Sequence, residues 1–219
     1  MTSSLTIKQQ WILGAAAILL ERNGLNFANG YDRPSEQEDP GWKEETMAWL
    51  ADSWSVTDHD SALYQIRGLI DDGKRTKFDR IRTFLNALPL RQQRSILHSI
   101  EDPETAAEYR VVYTYNSRLT PAGIAGYDWG RSLFVAHYAK LLGFISADEA
   151  WDSMAEVAAL IQRHYDSWEE YGTAFIIGRQ FFYKEWSEES AKVYFQHVRS
   201  LLIDEYSPWR TLPWDTPLG

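Results

Sequence analysis

Between Pro121 and Phe182, charged side chains fall where the pattern calls for apolar ones. Ile124, Asp128, Arg131, Val135, Tyr138 and Leu142 step by three or four residues and so share one helical face. Trp168, Tyr171, Phe175, Arg179 and Phe182 do the same further on. An unpaired charge buried in such a stripe is costly, so Asp128 is expected to meet one or both of Arg131 and Arg179. Gly126, Gly130 and Gly178 remove side chains where another helix could come close. Two chemistries fit this cluster. One is a carboxylate–guanidinium network that fixes helix packing. The other is a small anionic-ligand pocket in which Arg131 and Arg179 hold a phosphate or carboxylate, with Trp129, Tyr138 and Trp168 as aromatic neighbours.

Other chemistries find no support. His59, His98, His137, His164 and His197 sit in no metal-ligand spacing, and the chain has no cysteine, so no metal and no thiolate site is expected. The nucleophile elbow G-x-S-x-G and the phosphate loop G-x-x-x-x-G-K-[ST] are both absent. Glu169-Glu170 and Glu188-Glu189 read as first-turn acids facing helix dipoles rather than as a catalytic pair. No catalytic residues and no cofactor are therefore expected. With 31 acidic against 22 basic residues, the net charge of −9 argues against a nucleic-acid backbone as partner.

The elements that must position the cluster read as helices throughout. Trp11 to Leu20 is apolar or small, too short to span a bilayer, and is expected to be a buried first helix retained in the mature protein. Residues 30–41 form a polar loop with two prolines. Thr57 with Asp60, Asp102-Pro103-Glu104, Thr120-Pro121, Ser146 with Glu149, and Ser167 with Glu170 mark successive helix starts. A further start falls at Ser187, opening a helix that reaches Leu202. The run Val111, Val112, Tyr113 and Tyr115 could be a short strand, but nothing nearby could pair with it, so helix is preferred. The expected fold is a compact all-α bundle of roughly nine or ten helices, one domain over 1–219. It divides into a helical part (1–119), the part bearing the charged cluster (120–203) and a packed tail (204–219). That tail, rich in proline and tryptophan, is expected to be non-helical and pinned by Trp209 and Trp214. Of the ten tryptophans, Trp54 and Trp129 stand out as candidates for exposed contacts.

The motif string Tyr127-Asp128-Trp129-Gly130-Arg131, Gly143-Phe144-Ile145-Ser146, Glu149-Ala150-Trp151, Ser167-Trp168 and Gly178-Arg179 resembles the bacterial domain-of-unknown-function family 1266. The likeness continues into Ser207-Pro208-Trp209 and Leu212-Pro213-Trp214, with a looser match from Gln10-Trp11 through Trp54 and the Asp72-Gly73 turn. The family pattern places a second arginine six residues after Arg131, where this chain has His137. The resemblance implies a shared fold and a bacterial source and brings no reaction with it.

Two functional expectations stand side by side. The first is a cytoplasmic, non-enzymatic protein-binding protein, an immunity protein neutralising a basic toxin or effector through complementary charge and aromatic anchors, with no nucleic-acid or membrane partner. The second is an enzyme or sensor of a small anionic ligand held by Arg131 and Arg179.

Overall fold

The computed structural model describes residues 5–35, 37–184 and 188–218, without the side chains of 188–191. Its helices are α1 (Ile7–Arg22), α2 (Trp42–Trp54), α3 (His59–Asp71), α4 (Arg75–Asn86), α5 (Leu90–Ser99), α6 (Pro103–Tyr115), α7 (Ala125–Leu142), α8 (Ala147–His164), α9 (Trp168–Tyr183), α10 (Glu188–Ile203) and the single turn α11 (Pro208–Thr211). No strand occurs among the described residues, and the fold is the expected all-α bundle. None of their helices is long and apolar enough to cross a membrane. The start signals place most helices correctly. Ser146 and Glu149 form a reciprocal capping box, and the Asp102 and Ser167 side chains cap α6 and α9. At α3 the cap is Asp58, paired with Ser61, rather than Thr57 with Asp60. The α10 start at Ser187 lies outside the described residues.

The centre of the bundle is α7, which packs against α1, α3, α8 and α9. The expectation of one buried face is too narrow, because nearly every residue from Ala125 to Ala139 is buried and Arg131 is the exception. Small residues make this possible by letting neighbouring helices close in from several sides. Gly178 of α9 lies so near α7 that a Cβ built on it would stand 2.3 Å from Tyr127 Cβ. That atom is tied to the α7 backbone and cannot step aside. Gly178→Ala is expected to cost about 3 kcal/mol, at the upper end for overpacking. A denaturant midpoint unchanged from the wild type would contradict this α7–α9 contact.

A second, smaller core joins Phe78, Ile81 and Leu85 of α4 to Val111 and Val112 of α6, with Ile177 and Phe181 of α9. The ambiguous Val111–Tyr115 run is thus helix, and burial explains its apolar content. In α1, Trp11 to Leu20 are all buried, as expected of a first core helix.

The tail is held by indole N–H groups donating to backbone carbonyls. Trp11 donates to Trp214 O (3.2 Å), Trp168 to Leu212 O (3.0 Å), Trp209 to Gly14 O (2.8 Å) and Trp214 to Tyr165 O (3.1 Å). Trp168 and Trp209 stack with centroids 5.3 Å apart. Contrary to the non-helical expectation, Pro208–Thr211 makes one helical turn. Proline is tolerated there because it occupies the first position, where its missing N–H has no helical partner in any case, while Ser207 Oγ accepts from Arg210 N–H.

At the surface, His59 of α3 bridges to α8, with Nε2 2.9 Å from Glu149 Oε1 and Nδ1 3.0 Å from Asp60. Glu149 raises the His59 pKa above its ordinary 6.5, helped by Asp60. His59, together with Ser146, holds the Glu149 carboxyl down to about 2, from an ordinary 4.5. The carboxylate's contribution is complete above 4.5 and fades as pH falls, whereas the imidazolium's is complete below 6.5 and fades as pH rises. The melting-temperature difference between wild type and His59→Ala should therefore peak between those two values and shrink on either side. A flat difference across that range would show that the bridge contributes nothing measurable.

Candidate functional site

Asp128 sits at the point where α7 meets the turn between α3 and α4. Its side chain is fully buried and accepts hydrogen bonds from the backbone N–H groups of Lys74 (3.0 Å) and Arg75 (2.9 Å). Those are donors at the start of α4, whose own N-cap residue, Lys74, offers no side-chain cap. Asp128 thus caps a helix from a different part of the chain. The approach requires Gly73, which has φ +61° and no room for a Cβ beside the Asp128 carboxylate, at 2.3 Å.

Two guanidinium groups flank the carboxylate. Arg131 Nη1 lies 3.6 Å from Oδ1, and Arg75 Nη1 lies 3.6 Å from Oδ2. Arg75 also donates to Leu69 O (2.9 Å) and to Ile70 O, near the end of α3. One carboxylate and one arginine therefore tie α3, α4 and α7 together. Burial pushes the Asp128 pKa up from its ordinary value, while the two N–H groups and both arginines pull it back. The expected Asp128–Arg131 pair is present. The second cation at the carboxylate is Arg75, whereas Arg179 stands over the rings of Tyr183 (4.5 Å) and Tyr194 (4.1 Å).

Beyond this pair lies a cavity of about 270 Å³ where five helices meet. Helix α1 with its following turn contributes Leu19, Arg22 and Asn23, and α2 contributes Trp49, Ser53 and Trp54. Tyr127 and Arg131 come from α7, Arg179, Phe182 and Tyr183 from α9, and Tyr194 from α10. Among the described residues lining it there are three arginines and no carboxylate. The Arg131 side chain is only 12% exposed and its guanidinium carbon stands over Trp54 (5.3 Å), Tyr127 (5.0 Å) and Phe182 (4.9 Å). Its Nη1 has no hydrogen-bond partner among the described residues. In so acidic a chain, three guanidinium groups set among aromatic rings stand out, with the Asp128 carboxylate behind Arg131. A larger depression of about 1220 Å³ beside the 27–44 segment sets Asp32, Glu38, Asp39 and Glu44 against Arg33 and Lys43, and so does not favour an anion.

The aromatic neighbours expected from sequence are placed elsewhere. Trp129 is buried, contrary to its reading as an exposed contact, and packs on His164 and Tyr165 behind the carboxylate. Trp168 belongs to the tail cluster. Tyr138 packs against Trp42, Trp49 and Phe134, one layer away from the cavity. His137 binds the Tyr31 carbonyl through Nε2 (2.8 Å), and burial drives its pKa down to about 3. It is neutral in the core and does not replace an arginine at the cavity. Trp54 does line the cavity, as one of its walls.

Arg22 and Arg75 also belong to the site, though neither is among the residues expected there from the sequence pattern. Arg75 carried one signal, its position just after the Asp72-Gly73 turn. Arg22 was visible only as a charge in a helix's last turn. Among the described residues, no group of three or more His, Asp or Glu side chains could hold a metal ion.

Fold and site together define an all-α protein with a buried capping carboxylate and an arginine–aromatic cavity beside it. A family model described as a protein of unknown function, DUF1266, matches residues 49–214, and the chain belongs to that family. The match takes in Asp128, Arg75 and the cavity walls of α2, α7, α9 and α10, while Arg22 lies outside it. No match was found among curated proteins or among solved structures.

Proposed function

We propose that this protein binds a small organic anion in the arginine–aromatic cavity, as a sensor or as an enzyme acting on that ligand. The observation that carries this reading is Arg131, whose buried guanidinium is covered by three rings and has an Nη1 without a hydrogen-bond partner among the described residues, beside a cavity lined by two further arginines. Ligand oxygens within reach of Nη1 would satisfy the donor, and the low-dielectric surroundings strengthen such a bond.

A thermal-shift series with inorganic phosphate, sugar phosphates, nucleotides and carboxylic acids tests the reading. A ligand at a hundred times its Kd stabilises the fold by about 2.7 kcal/mol, equivalent to roughly 5–10 °C for a chain of this size. Arg131→Met is expected to abolish that shift while retaining a cooperative melt, and Arg131→Lys to retain part of it. If no anion shifts the wild type, or if Arg131→Met leaves the shift intact, the cavity is not the binding site.

The protein-binding reading, neutralisation of a basic toxin in the bacterial cytoplasm, draws its support from the net charge of −9. Its test is rescue of cells expressing a basic nuclease toxin, and failure to rescue them would count against it.

A further inference from the structure

The cavity has arginines at two depths, and this difference bears on the kind of acid it would take. Arg131 lies deep, packed among Trp54, Tyr127 and Phe182, and what it has to offer a ligand is Nη1, which has no hydrogen-bond partner among the described residues. A guanidinium used edge-on matches the two oxygens of a carboxylate or phosphate. Arg22, in contrast, is exposed at the end of α1, with its guanidinium carbon 4.6 Å from the Tyr194 ring centroid. Arg179 approaches the same ring at 4.1 Å, so these two guanidinium groups can be no further apart than those two distances laid end to end. Aromatic walls separate the deep cation from the rim, and no carboxylate belongs to the described lining. Among the described residues, an acid with one charged head would meet Arg131 and leave the rim cation facing only rings and solvent.

Building on the anion-binding reading, we infer that the ligand is a two-headed organic acid. Its inner carboxylate or phosphate meets the edge of Arg131, its second acidic group meets Arg22 at the rim, and a short apolar or flat middle lies along the aromatic wall. The position of Arg22 at a helix C-terminus, where a cation is favourable against the dipole, explains a basic residue there. It does not explain a cavity whose described walls hold cations at both ends and no acid.

The test compares glutarate with pentanoate, which have the same carbon count and differ in one carboxylate, by calorimetric titration of the full chain at pH 7 and low salt. Inorganic phosphate serves as a single-headed control. Glutarate is expected to bind about tenfold more tightly than pentanoate, the scale of one added charge-assisted contact. Arg22→Gln should cost glutarate about tenfold more than it costs pentanoate, and Arg131→Lys should weaken both. Equal affinity of the two acids for the wild type, or an Arg22→Gln penalty shared equally between them, would overturn the two-headed assignment. In that case Arg131-dependent binding of phosphate or pentanoate would still uphold the anion-binding reading. Failure of all three probes to bind would overturn both.

Discussion

A chain ending after Ser207 should lose its cooperative fold. Removing residues 208–219 takes away Trp209 and Leu212, both buried, and Trp214, which packs edge-on against Trp11 and Trp168. It also strips acceptors from Trp11 and Trp168, whose indole N–H groups donate to Trp214 O and Leu212 O, and from Gln162, which donates to Trp214 O and Thr216 O. Loss of one buried tryptophan side chain typically costs about 3–5 kcal/mol. Loss of buried Trp209 and half-buried Trp214, with buried leucine added, approaches the entire stability of an ordinary domain, about 5–15 kcal/mol. The milder Trp209→Ala change should lower the melting temperature by roughly 10 °C, since each kcal/mol is worth about 2–4 °C at this length. Circular dichroism melts and limited proteolysis measure both effects. A truncated protein that still melts cooperatively near the wild-type temperature would mean that the tail merely rests on the bundle.

Asp128→Ala comes second in expected effect. The change removes the acceptor for two backbone N–H groups at the start of α4 and the carboxylate between Arg75 and Arg131. Breaking a buried pair by deleting one partner costs about 3–5 kcal/mol, because the remaining charge stays buried without compensation. Asp128→Asn should fall between wild type and alanine. It keeps the shape and one carbonyl oxygen, but its amide nitrogen turns a donor toward one of the N–H groups. Urea midpoints for the three proteins give the order directly. An alanine variant within 1 kcal/mol of wild type, on the scale of a surface change, would refute the capping role assigned to Asp128.

Local signals in the chain carried most of the fold. Ser146 with Glu149, Ser167 with Glu170 and Asp102-Pro103 mark helix starts because the capping side chain and the N–H it meets are three residues apart. The Asp128–Arg131 pair was legible for the same reason, being one helical turn long. The other half of that site was not. Asp128 caps α4 across more than fifty residues, and its partners there are backbone N–H groups, which carry no residue-type signature. Arg22 and Trp54 reach the cavity from α1 and α2 through packing that periodicity does not encode. Trp129 and Trp168 sit on plausible helical positions, but their true neighbours, His164 and the tail, depend on how the helices cross.

Crystals soaked in selenate, an anomalously scattering oxyanion, offer the most direct measurement of the central claim. The account predicts an anomalous peak inside the cavity, with an oxygen within about 3 Å of Arg131 Nη1. A peak confined to the outer surface, or a protein carboxylate occupying that position on Arg131, would contradict it.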